Sequence, residues 1–467
     1  MPISVNSWWR RGRPAVVEAR PFTHREAGTD EPTWLLAAGW DDVARLDLDT
    51  LTRRCARVVV LAPHPDDETL ALGATLADLG AEDVEVIVVF ATHGGRGPGS
   101  TPRRIEAERA MATLGAHVQA VWWDLPDGGL PAAEQELARR LAELVDSHTV
   151  LLAPAECDGH SDHDAAARAA EAVARACSAT LLNYPVWLWH WATPEDLQWS
   201  RVRTLSPTLA GLRAKESAIG CYTSQLDASE DAPIVGPSML RRAHRAFETV
   251  LLPADPDLAR RVAGHVIGPR ARDDVAEPFD AMLTGTEDPW HLDDFVYERR
   301  RLGLVLACLG RERYQRVLEI GCATGQLSEE LIGRADTVVA LDASARALQV
   351  ARQKTDAVRW ICGAVPADLP NERFDAIILS EVGYFLDGPE LVATLRAARR
   401  RLTVRGEIVL AHWRGPTRGI PLDGRAVHRQ AAALMDLPLR ARYEDVDLIV
   451  EVWGEPVSVY REYRGAS

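Results

Sequence analysis

The chain lacks any excess of positive charge: 53 Lys and Arg face 68 Asp and Glu, a formal net charge of −15. Nonspecific nucleic-acid binding needs basic side chains to neutralise phosphates, so no nucleic-acid partner is expected. Cysteine is sparse. The seven cysteines are scattered, odd in number and never spaced C-x-x-C, which points to free thiols in a reducing compartment. No apolar run is long enough to span a bilayer. Residues 1–18 hold Trp8-Trp9-Arg10-Arg11 but no apolar core of a secretion signal. A cytoplasmic protein without membrane insertion is therefore expected. There is no internal repeat, no low-complexity tract and no Gly-Lys-Ser/Thr phosphate loop. Nothing specifies an oligomeric state.

What remains is an ordinary globular composition, 47% hydrophobic and 26% charged, over 467 residues. That length exceeds one typical core, so two domains are expected. Strand and helix patterns alternate over 55–185. Strands are predicted at 57–62, 84–90, 118–122, 150–153 and 180–183, with helices at 70–79, 103–114, 132–145 and 164–176 between them. Such alternation implies βαβ units and a parallel sheet. Helical patterns at 210–222 and 241–248 close the first half. A polar, proline-bearing stretch at 253–280 reads as a linker between halves that fold separately. A second alternation follows, with strands predicted at 316–320, 337–341, 358–362, 374–379 and 407–410. A closing pair is expected at 447–452 and 457–463. The fourteen tryptophans cluster at Trp122-Trp123 and at Trp187, Trp189 and Trp191. Such rings suit the apolar faces of sugars, and equally suit core packing.

Two acidic-histidine motifs follow predicted strands: His64-Pro65-Asp66-Asp67-Glu68 and His160-Ser161-Asp162-His163. Side chains at the C-terminal ends of parallel strands converge on one crevice. Two imidazoles and a carboxylate form a donor set that zinc accepts while one position stays open. Metal-assisted hydrolysis is the chemistry this suggests. The motifs resemble those of the PIG-L/LmbE-like N-acetyl-glycan deacetylases. Further marks are Arg103-x-x-Glu106, Leu125-Pro126-Asp127-Gly128 and Tyr222-Thr223-Ser224-Gln225. The resemblance implies an α/β zinc amidohydrolase fold over 1–252. It makes His64, Asp67 and His163 ligands of Zn2+ or another divalent metal, and Asp66 the general base. His160, oriented by Asp162, would steady the oxyanion or protonate the leaving amine. The loop Thr92-His93-Gly94-Gly95-Arg96-Gly97 departs from the acidic loop usual in that family, which suggests a different substrate, one carrying an anionic group, or a surface lid.

In the second half, Glu319-Ile320-Gly321-Cys322-Ala323-Thr324-Gly325 joins a strand to a helix, and Asp342 ends the next strand. Glycines there let backbone approach a ligand, and the acid is placed for ribose hydroxyls. The third glycine of the dinucleotide fingerprint is missing. The segment resembles a class I S-adenosylmethionine-dependent methyltransferase over 281–467, and within that class the nodulation-protein-S-like branch, which methylates a sugar amine. Asp288-Pro289-Trp290, Tyr297-Glu298, Ser380-Glu381-Val382-Gly383-Tyr384, His412-Trp413-Arg414 and Val427-His428 carry the branch resemblance. It implies cofactor contacts from Glu319, Gly321, Gly325 and Asp342. Cys362-Gly363-Ala364 stands where the family often has an acid, so adenine recognition is expected to rest on backbone groups around Gly363. Glu381, Tyr384 and His412 are candidates for the base that keeps the acceptor amine deprotonated.

The expected architecture is therefore α/β with two doubly wound domains, an N-terminal Rossmann-like deacetylase and a C-terminal class I methyltransferase. The expected function is deacetylation of an N-acetylated amino sugar or glycoconjugate, followed by N-methylation of the freed amine. Methylation of a hydroxyl or carboxylate, or a vestigial second domain serving as a scaffold, are the alternatives.

Overall fold

The computed structural model describes residues 22–458, apart from 54, 56, 80–83, 96–100, 116, 228–231 and 293. Strands in chain order are β1 (Ala44–Leu46), β2 (Arg57–Ala62), β3 (Glu85–Thr92), β4 (Val118–Leu125), β5 (Thr149–Pro154), β6 (Thr180–Tyr184), β7 (Val202–Leu205), β8 (Glu248–Leu251), β9 (Val266–Ile267), β10 (Tyr314–Ile320), β11 (Ala335–Asp342), β12 (Val358–Cys362), β13 (Phe374–Ser380), β14 (Leu402–Trp413), β15 (Leu439–Glu444) and β16 (Leu448–Trp453). The first nine form one sheet in the order β4-β3-β2-β5-β6-β8-β7-β1-β9, and the rest form a second, β12-β11-β10-β13-β14-β16-β15. Both are mixed α/β sheets. β4 through β6 run parallel, as do β12 through β14, and antiparallel strands are added beyond.

The parallel strands are runs of Val, Leu, Ile and Ala because helices cover both faces. Val58 to Ala62 and Ile377 to Leu379 are fully buried. Among the parallel strands of each sheet the order reverses once: β2 leads to β3 on one side while β5 lies on the other, and β10 leads to β11 while β13 lies opposite. Ligands in open α/β sheets bind at such reversals, outside the strands' C-terminal ends. Both sequence motifs of the first half sit there, because β2 and β5 pair directly through Arg57↔Thr149 to Val60↔Leu152. Gly321 after β10 and Glu381 after β13 do the same in the second sheet.

Three sequence expectations are corrected. The helix expected at 241–248 ends at Ala243, and Glu248 already belongs to β8, paired with Leu205 of β7, while its carboxylate binds Lys215 and the Ala74 and Thr75 N–H groups. The closing antiparallel pair is β15 with β16, not 447–452 with 457–463; Val457 and Ser458 form no strand, and 459–463 lie outside the described residues. The 253–280 stretch is folded throughout most of its length. Pro256–Val262 is a helix with Leu258 and Val262 buried, β9 pairs with β1, and Arg272–Met282 is a second helix. Asp255 caps the first of these helices and Pro256 opens it, where no N–H is needed, while Pro278 lies inside the second, so polarity and proline here do not mark an open tether.

The halves also share packing. Trp34, Leu35, Trp40, Trp189 and Phe247 belong to the same buried apolar cluster as Leu391, Leu395, Val427 and Leu434. Arg396, buried at 2% exposure, donates to Ala37 O at 2.7 Å and to Asp41 at 3.0 Å. Ala246 N–H donates to Gln430 at 2.8 Å. A Cβ at Gly388 would lie 1.8 Å from Ala246 O, so only glycine allows that approach.

Candidate functional sites

The turn after β2 carries the first site. Asp66 takes φ 126°, a conformation that L residues rarely adopt, and its N–H donates to Glu68 at 3.1 Å. Glu68 is fully buried and also receives Thr69 and Tyr222 hydroxyls at 2.6 Å. Strain of this kind persists where surrounding groups enforce it, and it clusters at functional sites. It solves the problem of two adjacent acids: Asp66 and Asp67 reach different partners.

Three donor atoms converge. His64 Nδ1 lies 3.4 Å from Asp67 Oδ2, His163 Nε2 lies 3.2 Å from the same oxygen, and the two ring nitrogens are 3.3 Å apart. Tautomers follow from the outer partners. His163 Nδ1 meets the Asp158 carboxylate at 2.7 Å, so that nitrogen carries the proton and Nε2 presents its lone pair. His64 Nε2 faces Asp127 at 3.2 Å and Asp162 at 3.3 Å, so Nδ1 presents its lone pair. A tetrahedral cation with bonds of about 2.0–2.1 Å holds its ligands roughly 3.3–3.4 Å apart. The set fits such an ion. His160 also lies within reach, its ring offering a third nitrogen within 4.8 Å. But His160 Nδ1 accepts the Asp162 backbone N–H at 3.2 Å, so in the neutral ring the proton sits on Nε2 and that atom donates.

Electrostatics agree. Burial opposes charge on His163, but Asp67 and Asp158 raise it to about 9. Burial likewise opposes charge on His64, and hydrogen bonds to Asp127, Asp162 and Asp67 hold it well above its usual range. The spot favours positive charge. Burial pushes Asp66 to about 7, with Arg103 pulling down and Asp67 and Glu68 pushing up. Burial and the neighbouring His163 and His64 hold His160 down near 4, so it is a neutral ring near pH 7. A neutral ring can donate to an oxyanion, the first of the two roles expected of it. Asp162 orients His160 through its backbone. Its carboxylate instead takes the Gly128 and Leu130 N–H groups and faces His64.

A cavity of about 140 Å3 is lined by His64, Asp66, Asp67, Arg103, Asp127 and His160, together with apolar Leu70, Val186, Trp187, Ile234 and Met239. Of the tryptophans weighed as sugar platforms, Trp187 lines this cavity while Trp189 and Trp191 are buried in the core. His93 of the glycine-rich loop pairs with Asp124 at 2.6 Å and stacks on Trp122; Arg96 and Gly97 lie outside the described residues. Arg103 ties that loop to the site, donating to Gly94 O at 2.7 Å and Pro65 O at 2.6 Å and pairing with Asp66 at 3.1 Å. Glu106 holds Thr223 and Ser224, so the weaker motifs are parts of one frame. Sequence reasoning missed Asp158. Its only linear signal is its place five residues before His163.

The second site is a cavity of about 200 Å3 at the ends of β10, β11 and β13. Glu319, Gly321, Asp342, Gly363, Glu381 and Tyr384 line it, together with Phe279, Trp290 and Arg301. Gly321 takes φ 74° where the chain passes the Val382 side chain. Each Asp342 oxygen accepts one backbone N–H, from Ser344 and Ala323, both at 2.8 Å. Burial raises its carboxyl, and it raises Glu319 to about 8. Glu381, also raised by burial, accepts hydroxyls from Tyr297 at 2.9 Å and from Tyr384.

Three expectations for the second half change. Gly325 does not line the cavity. Its φ of 89° caps the helix Gln326–Ile332, and a Cβ there would strike Trp360 at 2.7 Å. His412 is fully buried and its Nε2 is occupied by the Gly383 N–H at 3.0 Å, so it is no base for a substrate. Backbone N–H groups at 363 and 364 are already paired: Gly363 donates to Asp342 O at 2.9 Å and Ala364 to Asp368 Oδ2 at 2.8 Å. Carbonyls and side chains remain for any adenine there.

Among the described residues no helix is long and apolar enough to cross a membrane. Residues 59–174 match the family model of PIG-L, GlcNAc-PI de-N-acetylase, and residues 273–414 match that of Nodulation protein S, NodS. Nodulation protein S of Azorhizobium caulinodans is 34% identical over 143 residues, 29% of this chain and 63% of that protein. Its counterpart from Sinorhizobium fredii is 32% identical over 120 residues, 25% of this chain and 54% of that protein. The chain thus spans between half and two thirds of the length of these curated relatives. A solved structure of the N-methyltransferase NodS from Bradyrhizobium japonicum WM9 with S-adenosyl-l-homocysteine is 24% identical, covering 39% of this chain and all of that one at a TM-score of 0.36. The chain joins a domain of the PIG-L deacetylase family to a domain of the NodS methyltransferase family.

Proposed function

We propose that the chain is a bifunctional enzyme that removes an acyl group from an N-acylated amino sugar or glycoconjugate and then methylates the freed nitrogen. The observation that carries the first half is the triangle of lone pairs from His64, Asp67 and His163, with edges of 3.2–3.4 Å and both imidazole tautomers fixed from outside. These three would hold a zinc-type divalent ion, which when bound supplies Lewis acidity toward an amide carbonyl. Asp66 takes the proton of the attacking water; a base with a pKa near the working pH is the efficient choice. His160 Nε2–H donates to the oxygen that gains charge. Arg103 holds Asp66 and the 92–95 loop in one frame. The sugar would rest against Trp187.

In the second half, S-adenosylmethionine would supply an electrophilic methyl. Asp342 would take its ribose hydroxyls, and Gly321 lets the backbone approach. Glu319 adds a buried acid group to the cavity wall. Glu381 accepts a proton from the acceptor amine, with Tyr297 and Tyr384 fixing its orientation. Methyl transfer is otherwise alignment, which enclosure in the cavity provides. The order of steps follows from the nitrogen. An amide lone pair is delocalised into its carbonyl and is a poor nucleophile, and the freed amine is a good one.

Mass spectrometry of products from a panel of N-acetyl amino sugars tests this. With S-adenosylmethionine the parent should yield deacetylated, N-methylated product. His163→Ala should yield none, yet should methylate substrate supplied as the free amine. If His163→Ala methylates acetylated substrate at the parent's rate, the acceptor is not that nitrogen.

A further inference from the structure

His412 is not a base, but it ends a buried chain of hydrogen bonds that leads back to an acid. Gly383 N–H meets His412 Nε2 at 3.0 Å, His412 Nδ1 meets His428 Nε2 at 3.1 Å, and His428 Nδ1 meets Glu451 Oε2 at 2.8 Å. The three side chains lie on β14, on the helix Gly424–Leu434 and on β16, and none is more than 3% exposed. The two ends fix the direction of the whole chain. A backbone N–H can only donate, so His412 Nε2 must be bare and its Nδ1 carries the proton. That proton goes to a bare His428 Nε2, and His428 Nδ1–H goes to a carboxylate that can only accept. Arg442 lies 3.3 Å from the other Glu451 oxygen. If either ring took the opposite tautomer, two N–H groups would point at each other inside the protein.

We infer that Glu451 and His428 are positioning residues of the methyl-transfer cavity: they hold His412 in the tautomer that anchors Gly383, and so the turn that presents Glu381, Tyr384 and Phe385. This rests on the C-terminal half being a methyltransferase. Gly383–Phe385 is a single tight turn, and Glu381 just before it takes φ 58°. The Gly383 anchor lies between Glu381 and Tyr384, the two residues whose side chains meet in the cavity. A Cβ at Gly383 would lie 2.8 Å from His412 Nε2, so ring and turn are in close contact. Loss of the anchor would let the turn shift, and misplacement of a reacting group by about 1 Å can lower a rate by about 10²-fold.

Two measurements on the full chain test this. Histidine 15N–1H spectra should report His412 and His428 both protonated at Nδ1 and bare at Nε2; protonation of either at Nε2 overturns the proposal, whatever the activity. Kinetically, His428→Leu removes the relay and His428→Gln can keep its direction, accepting from His412 and donating to Glu451. On a free amino-sugar acceptor, His428→Leu should lower methyl-transfer kcat by ~10–10²-fold, and His428→Gln should restore most of it. S-adenosylmethionine affinity and deacetylation by the same chain should stay near the parent's in both, which separates positioning from misfolding. A parental rate in His428→Leu, or equal losses in the two variants, overturns the role. A parent that methylates no amine refutes the functional reading instead, and leaves the tautomer measurement standing.

Discussion

Replacing Asp158 by Asn would test the metal site without touching a ligand. Asp158 is fully buried and receives four donors, two per oxygen: Val186 and Leu188 N–H on Oδ1, both at 2.9 Å, and Trp187 N–H and His163 Nδ1 on Oδ2, at 3.0 and 2.7 Å. An amide offers one acceptor oxygen and one NH2. With the NH2 in the Oδ1 position, two backbone N–H groups lose their acceptor, at about 1–3 kcal/mol each. With it in the Oδ2 position only Trp187 N–H is orphaned. His163 can then turn acceptor at Nδ1, moving its proton to Nε2, which is the nitrogen that faces His64 and Asp67. The second arrangement costs less, so Asp158→Asn should destabilise the metal-free protein by roughly 1–3 kcal/mol. Its zinc affinity should fall about 10–100-fold, or roughly 1.4–2.7 kcal/mol, as for other groups that orient a metal-binding imidazole. Competition with a chromophoric chelator reads the affinity, and denaturant unfolding after metal removal reads the stability. Zinc affinity equal to the parent's would refute the tautomer argument and with it the assignment of His163 Nε2 as a donor.

Asp66→Asn should keep metal affinity near the parent's while losing most deacetylation, about 10²–10⁴-fold, because it removes the base alone; turnover at the parent's rate would unseat that role. Residues 281–467 expressed alone should be poorly soluble, since Leu391, Leu395, Val427 and Leu434 would lose their apolar neighbours from the first half and Arg396 its acceptors at Ala37 and Asp41; a monodisperse, well-folded fragment would show that the shared cluster contributes little. Glu319 gives a pH signature. Its folded pKa is raised by burial to about 8 against 4.5, so the folded chain holds a proton the unfolded chain releases, and its contribution to stability is lost as pH rises through that window. Glu319→Gln should therefore flatten the fall in unfolding midpoint between about pH 4.5 and 8, and parallel curves for parent and variant would contradict the raised value.

The sequence alone determined the two α/β alternations and most of their strands, because parallel strands buried on both faces must be nearly continuous apolar runs. It also singled out the short motifs that the fold then gathers at two places, since His64, Asp67, His163, Asp342 and Glu381 lie at or after strand ends and are few. Periodicity could not see which strands become neighbours. That β2 lies beside β5, and β10 beside β13, is a matter of sheet order, and it is what brings His64 to His163 and Gly321 to Glu381. Roles set by a second partner were equally hidden. Only the fold puts Asp158 on His163 Nδ1, the Asp162 N–H on His160 and Gly383 on His412, and those contacts decide which ring nitrogen bears a proton. Polar, proline-bearing sequence at 253–280 looked like a tether because composition reports solvent exposure on average. The tertiary structure instead uses it for a helix cap, a strand pairing with β1 and an Arg270 side chain on Glu390, and separately runs one apolar cluster through both halves.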